Sequence, residues 1–185
     1  MRPLIPLLLA ASLYACSPHK EYSFTHYYVA AGFDPGSGRL SSSVQMVFRA
    51  KRYYADSLGF LLDPGLEVNT LAAQDLDRYL YTHSDTGRLV LYLEDPLAPG
   101  DQLHISLHYS GTLNGGGLDS SLLWIPFNRE AGPFTMDAKL VLPDSWRVFR
   151  PEARRGRRGE WMISPANPVN SIRIVLVQAK PAENP

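Results

Sequence analysis

Apolar and polar side chains alternate with a period of two along most of this chain, as strands do when one face meets a core and the other meets water. The clearest case is Leu103-His104-Ile105-Ser106-Leu107-His108-Tyr109, whose apolar face is Leu103, Ile105, Leu107 and Tyr109. In Val44-Gln45-Met46-Val47-Phe48, polar Gln45 interrupts an otherwise apolar run. Leu89-Val90-Leu91-Tyr92-Leu93 is apolar throughout, which predicts a central strand buried on both faces. Phe134 to Leu142 and Ile172 to Val177, rich in β-branched and aromatic residues, predict later strands.

Turn signals separate these runs: Asp34-Pro35-Gly36, Asp63-Pro64-Gly65, Asp85-Thr86-Gly87 and Ala98-Pro99-Gly100-Asp101. With 15 prolines and 14 glycines spread in this way, long helices have little room. Only Leu71 to Leu80 is expected to hold a short helical turn. The pattern predicts an all-β fold, a single β-sandwich-like domain of mostly antiparallel strands. That domain is expected over residues 22–180, with a loose tail at 181–185. There is no internal repeat and no low-complexity tract.

The first residues read differently. Arg2 precedes an apolar stretch from Pro3 to Leu13, and Leu13-Tyr14-Ala15-Cys16 follows. A positive charge, a short apolar segment and a small residue before the cut describe a secretory signal peptide over residues 1–15. About 11 apolar residues fall well short of the roughly 20 that span a bilayer as a helix. A cysteine directly after the cut resembles the lipobox of bacterial lipoproteins, where the thiol receives a diacylglycerol and the new N-terminus is acylated. Tyr14 departs from the small or aliphatic residue usual at its position. The alternatives are a plain secretory signal with a chance cysteine, or an uncleaved anchor. Cys16 is the only cysteine in the chain, so its acylation would leave no thiol for a disulfide. Residues 16–21 are then a lipidated tether. The expected location is the cell envelope, lipid-anchored. Ser17 resembles the outer-membrane sorting signal of Gram-negative lipoproteins, which would turn the domain toward the periplasm.

Charge narrows the partners. Lys plus Arg and Asp plus Glu are 18 each, so no global field favours nucleic acid, and none is expected as a partner. Arg150, Arg154, Arg155, Arg157 and Arg158 nevertheless crowd one segment, offset only by Glu152 and Glu160. They form a candidate anion-binding patch for headgroups or phosphates, or else a solvated hairpin tip turning at Gly156 and Gly159.

Other residue types yield less chemistry. His104 and His108 have the spacing of a zinc pair on a helix, but on a strand they stand roughly 13 Å apart, too far to share one ion. They are expected to be exposed on either side of Ser106, on a face that is a candidate ligand surface. Trp124 follows a glycine-rich stretch and is either a groove-lining residue for sugar or peptide, or core. Gly115-Gly116-Gly117 lacks the Lys-Ser/Thr of a phosphate loop, and Ser120 and Ser121 lack a nucleophile elbow. Asp75 and Asp77 lack the remaining ligands of a calcium loop. No catalytic residue, metal or cofactor is expected.

Several segments in order resemble the N-terminal β-domain of the zinc aminopeptidase family, the relatives of aminopeptidase N. They are His26 to Lys51, Ser57 to Leu71, Leu89 to Leu113, the Trp-x-Pro step in Leu123 to Phe127, and Phe134 to Trp146. The resemblance covers roughly residues 22–178. In that family the chemistry lies in a following domain with an H-E-x-x-H helix, a distant glutamate and a Gly-x-Met-Glu-Asn segment, none of which occurs in these 185 residues. The resemblance therefore implies a fold and a supporting or recognition role: a non-catalytic binding module with an envelope protein or polymer as partner. The alternatives are a subunit completing a split zinc aminopeptidase, or a small hydrolase of unrecognised type.

Overall fold

A computed structural model describes residues 22–51, 55–83, 87–113, 118–119, 123–128, 133–157 and 159–179. Cys16, Ser17, Tyr53, Tyr54, Gly115 to Gly117, Ser120, Ser121, Arg158 and the tail at 181–185 lie outside the described residues. The described residues form thirteen strands in chain order: β1 Tyr22–Asp34, β2 Arg39–Ala50, β3 Ala55–Leu62, β4 Leu66–Ala73, β5 Leu76–Thr82, β6 Gly87–Leu97, β7 Gln102–Thr112, β8 Leu118–Asp119, β9 Thr135–Val141, β10 Trp146–Arg150, β11 Arg154–Arg155, β12 Glu160–Ile163 and β13 Arg173–Gln178. Among the described residues there is no helix. The fold is all-β and mostly antiparallel, as the alternation predicts.

Seven strands form one large sheet in the order β11-β12-β9-β1-β2-β7-β4. Two three-stranded sheets, β3-β6-β5 and β10-β13-β8, complete the structure. One pairing is parallel: β9 runs alongside β1, with His26 opposite Thr135 and Tyr28 opposite Asp137. The inward positions of the large sheet, among them Val29, Phe33, Val44, Phe48, Leu107 and Leu140, are all buried. They share one core with Leu58, Phe60, Leu89 and Leu91 of one small sheet and with Val148 and Ile174 of the other. Each such side chain contributes about 1.5–3 kcal/mol when taken fully out of water.

Two sequence expectations fail, and both for tertiary reasons. Leu71 to Leu80 holds no helical turn: β4 ends at Ala73, Gln74 and Asp75 turn, and β5 begins at Leu76. Asp75 sits in the left-handed region at φ 55°, and its carbonyl accepts a hydrogen bond from Glu94 N at 2.8 Å. The corner carries the chain from the large sheet into a small one, where β5 gains a ladder with β6 that a helical turn would forgo. The second miss is β6. Leu89, Leu91 and Leu93 are buried, but Val90 and Tyr92 are only half-buried on the outer face of their sheet. Leu80 and Arg78 of β5 flank them, with the Arg78 guanidinium 4.7 Å from the centre of the Tyr92 ring.

Candidate functional site

The outward face of the large sheet carries the groups able to meet a ligand. Cross-strand register sets them in rows. Asp137, Tyr28, Gln45, Ser106 and Ala72 lie side by side across β9, β1, β2, β7 and β4. The next row holds Thr135, His26, Val47 and His104. Tyr28 is half exposed, at 51%. A cleft of about 620 Å³ opens between Tyr28 and Gln45 on one side and Gln74 and His104 on the other, floored by Ser106 and Ala72. Small floor residues between larger rims make the hollow.

A polar network stands beneath Tyr28. The His26 ring lies 4.2 Å from the Tyr28 ring, tilted at 55°. Its Nδ1 shares a hydrogen bond with Thr135 Oγ1 at 2.6 Å, and its Nε2 lies 3.2 Å from Asp137 Oδ2. Ser164 Oγ donates to Asp137 Oδ1 at 2.5 Å. Hydroxyl, imidazole and carboxylate thus follow one another in the order of a hydrolytic triad. They sit on two adjacent strands, however, with a bulge in β1 just before His26, and not beside the turn or helix N-terminus that usually supplies an oxyanion pocket. The arrangement fixes His26 and, through it, the tyrosine ring.

The sequence candidates divide clearly. His104 and His108 are exposed on β7 on either side of half-buried Ser106, and only His104 reaches the cleft. Trp124 lines no groove. It is 1% exposed, packed in the core, and its carbonyl accepts a hydrogen bond from the Tyr109 hydroxyl at 2.9 Å. Its place there follows from sheet closure: Tyr27 and Tyr109 reach from two strands to the carbonyls of Pro126 and Trp124 and hold that segment against the core. Among the described residues no three His, Cys, Asp or Glu side chains come together as a metal site. Tyr28, Gln45 and Gln74 do not stand out in the sequence as site residues, Tyr28 being one of many aromatics. The signal for the first two was their polar or aromatic identity at outward positions of strands that later prove adjacent.

No known protein-family model matches the sequence, and no curated protein matches it. Solved structures do match. An M1 zinc metallopeptidase from Deinococcus radiodurans, in a mutant form, superposes with a TM-score of 0.63 at 19% identity, covering 80% of this chain and 40% of that one. Native yeast LTA4 hydrolase gives 0.63 at 13% identity, over 90% of this chain and 31% of its own. The same yeast enzyme in complex with bestatin gives 0.64 at 13%, over 88% and 29%. The chain has the fold of an M1 metallopeptidase N-terminal domain. It spans two fifths or less of the length of these structures, and at such identities the likeness is one of fold.

Within this metallopeptidase-type domain the arginines form a distinct region. Arg154 and Arg155 lie on β11, the outermost strand of the large sheet, opposite Met162 and Trp161. Arg150 ends β10, and Arg157 lies in the turn that leads to β12; all four are exposed. The Arg155 guanidinium stands 6.0 Å over the Trp161 ring, and that of Arg150 5.6 Å from the Phe149 ring, itself 57% exposed. Glu160 is engaged elsewhere, with Lys139 Nζ 2.5 Å from its Oε1. By register, Arg155 is level with Ala31 of β1, nine residues beyond Tyr22. That corresponds to roughly 30 Å along the strand.

Proposed function

We propose that this chain is a lipid-anchored, non-catalytic binding module of the bacterial cell envelope, tethered through Cys16. The observation that carries the reading is the fold, which is that of a metallopeptidase N-terminal domain. A zinc peptidase needs two histidines on one helix face and a glutamate between them as general base. What the domain offers instead is an outward sheet face with a cleft and a basic, aromatic-lined edge. An outer-membrane position facing the periplasm follows from Ser17 if the cell has two membranes.

Replacing Cys16 with Ala is expected to abolish acyl labelling and to release the protein from membranes or leave it unprocessed. Membrane fractionation with metabolic fatty-acid labelling checks this, and unchanged fractionation with intact labelling would refute the anchor. The binding role is tested by capture from solubilised membranes with the acylated protein. A stoichiometric envelope partner or retention on an envelope polymer is expected, and neither appearing would overturn it.

The arginine edge suits an acidic partner, and the same guanidiniums would also meet an anionic membrane surface. Guanidiniums grip carboxylate and phosphate pairwise, so the contact is expected to be specific as well as salt-sensitive. Changing Arg154, Arg155, Arg157 and Arg158 together to Ser should leave the thermal transition within a few degrees of the parent. Capture of an acidic partner at low salt should fall by about tenfold or more, since each exposed pair is worth up to about 1 kcal/mol. Equal capture by parent and variant would reduce the edge to a solvated hairpin.

A second reading, a subunit completing a split zinc aminopeptidase, draws on one feature. The outer face of the β3-β6-β5 sheet sets Gly59, Val90 and Leu80 in one row and leaves Leu80 52% exposed, as a face made to be covered would. Peptidase activity appearing only on mixing with a separately encoded zinc domain would establish it.

A further inference from the structure

We infer that the cleft on the outward face of the large sheet is a saccharide-binding site, with the Tyr28 ring as the platform for one sugar face. The inference deepens the binding-module reading and rests on it. Three properties of the cleft point to this ligand class.

The first is its lining. Tyr28, Gln45, Ser106, Gln74 and His104 present an aromatic ring, two amides, a hydroxyl and an imidazole beside apolar Val47, Ala72 and Ala73, and no carboxylate, lysine or arginine lines the cleft. An anionic ligand finds no cation there, and an ammonium ligand no carboxylate. A neutral polyol suits the set. Its C–H face packs on an aromatic ring, while amide groups both donate to and accept from neighbouring hydroxyls.

The second is its shape. The volume of about 620 Å³ falls within the range of small-ligand clefts. Tyr28 to Ala72 crosses three strand intervals, roughly 14 Å, which takes a short glycan and not a single ion. An extended peptide adding itself as a strand has no opening at the centre of the cleft, because β1, β2 and β7 are each paired on both sides.

The third is rigidity. An exposed tyrosine ordinarily loses rotamer freedom on binding, which weakens the complex. Here His26 packs against the ring and Thr135 shares a hydrogen bond with His26, so one side of the platform is held before any ligand arrives. The backbone of the opposite rim is fixed too. Gln74 sits in the turn pinned by the left-handed Asp75 and its bond from Glu94 N.

Titration calorimetry of the detergent-solubilised full chain with three neutral hexasaccharides, those of N-acetylglucosamine, β-glucose and α-glucose, tests the site. At least one is expected to bind. Tyr28→Ala should weaken that affinity about tenfold or more, whereas Tyr28→Phe keeps the ring and should stay within about threefold of the parent. Gln74→Ala, a change in an exposed turn, should also weaken it and serves as a second variant should Tyr28→Ala melt early. No binding of any hexasaccharide at millimolar concentration overturns the site, as does equal affinity in parent, Tyr28→Ala and Gln74→Ala. Should no hexasaccharide bind while an envelope partner is still captured, the binding-module reading stands and the glycan site falls.

Discussion

Alanine in place of Gly111 is expected to unfold the domain or bring it close to unfolding. The Cβ it adds would lie 2.1 Å from the Gly65 carbonyl oxygen and 2.9 Å from Leu66 Cα, both backbone atoms that cannot swing aside. The reciprocal change at Gly65 meets the Thr112 carbonyl oxygen, also at 2.1 Å. These two glycines let the Asp63-Pro64-Gly65 corner press directly on the end of β7, where Thr112 N donates to Gly65 O at 3.1 Å. Relief requires the corner to move off the sheet and take Leu62 and Leu66, both fully buried, with it. A cost of about 3–5 kcal/mol is expected, a large share of the roughly 5–15 kcal/mol that holds a domain together. Gly32→Ala provides the contrast. Nothing lies within 4 Å of its added Cβ, so the change should be neutral or stabilise by up to about 1 kcal/mol. Chemical denaturation of the three variants separates the cases, and equal midpoints for Gly111→Ala and Gly32→Ala would refute the close approach.

Alternation along the chain was enough to read β7, because each of Leu103, Ile105, Leu107 and Tyr109 is buried and His104 and His108 are not. It was enough for the fold class as well. It failed at Leu71 to Leu80, where the deciding contacts come from β6, and it left Trp124 open between groove and core, because that burial depends on hydroxyls reaching in from Tyr27 and Tyr109. Period two says which side a residue faces, not which strand lies beside it. The parallel pairing of β1 with β9 joins residues more than a hundred positions apart, and His26 meets Thr135 only through it. The cleft is harder still to foresee. Tyr28, Gln45, Gln74 and His104 come from four separate stretches; His104 alone reads in the sequence as part of a candidate ligand face, and the other three read as ordinary outward residues. The arginine run, by contrast, is local in sequence and could be read there, though not its height on the sheet.

Stability should fall steeply as the pH rises above about 10, because the tyrosines that hold the 124–126 segment cannot ionise in place. Burial is the main cause that pushes the phenols of Tyr27 and Tyr109 well above the ordinary range, with Tyr109 adding to the effect on Tyr27. Tyr81, half exposed, is pushed up to about 12, by burial first and then by Asp63. The sign follows from proton counts. Above pH 10 an unfolded tyrosine releases its proton while the folded one retains it, so alkali favours the unfolded chain. The stabilising contribution is complete below the unfolded value near 10 and is lost as pH climbs toward the folded ones. Each fully buried phenol costs about 1.4 kcal/mol per pH unit, so Tyr27 and Tyr109 together remove roughly 5 kcal/mol between pH 10 and 12. Tyr81 adds less, since solvent screens it. Tyr109→Phe should lower stability at neutral pH by about 1–3 kcal/mol, because the Trp124 carbonyl loses its partner. It should also cut the alkaline slope by nearly half, a change that simple loss of a hydrogen bond would not produce. Denaturation midpoints at pH 8, 10 and 11 measure both quantities, and an unaltered slope in the variant would show that Tyr109 ionises freely in the folded protein.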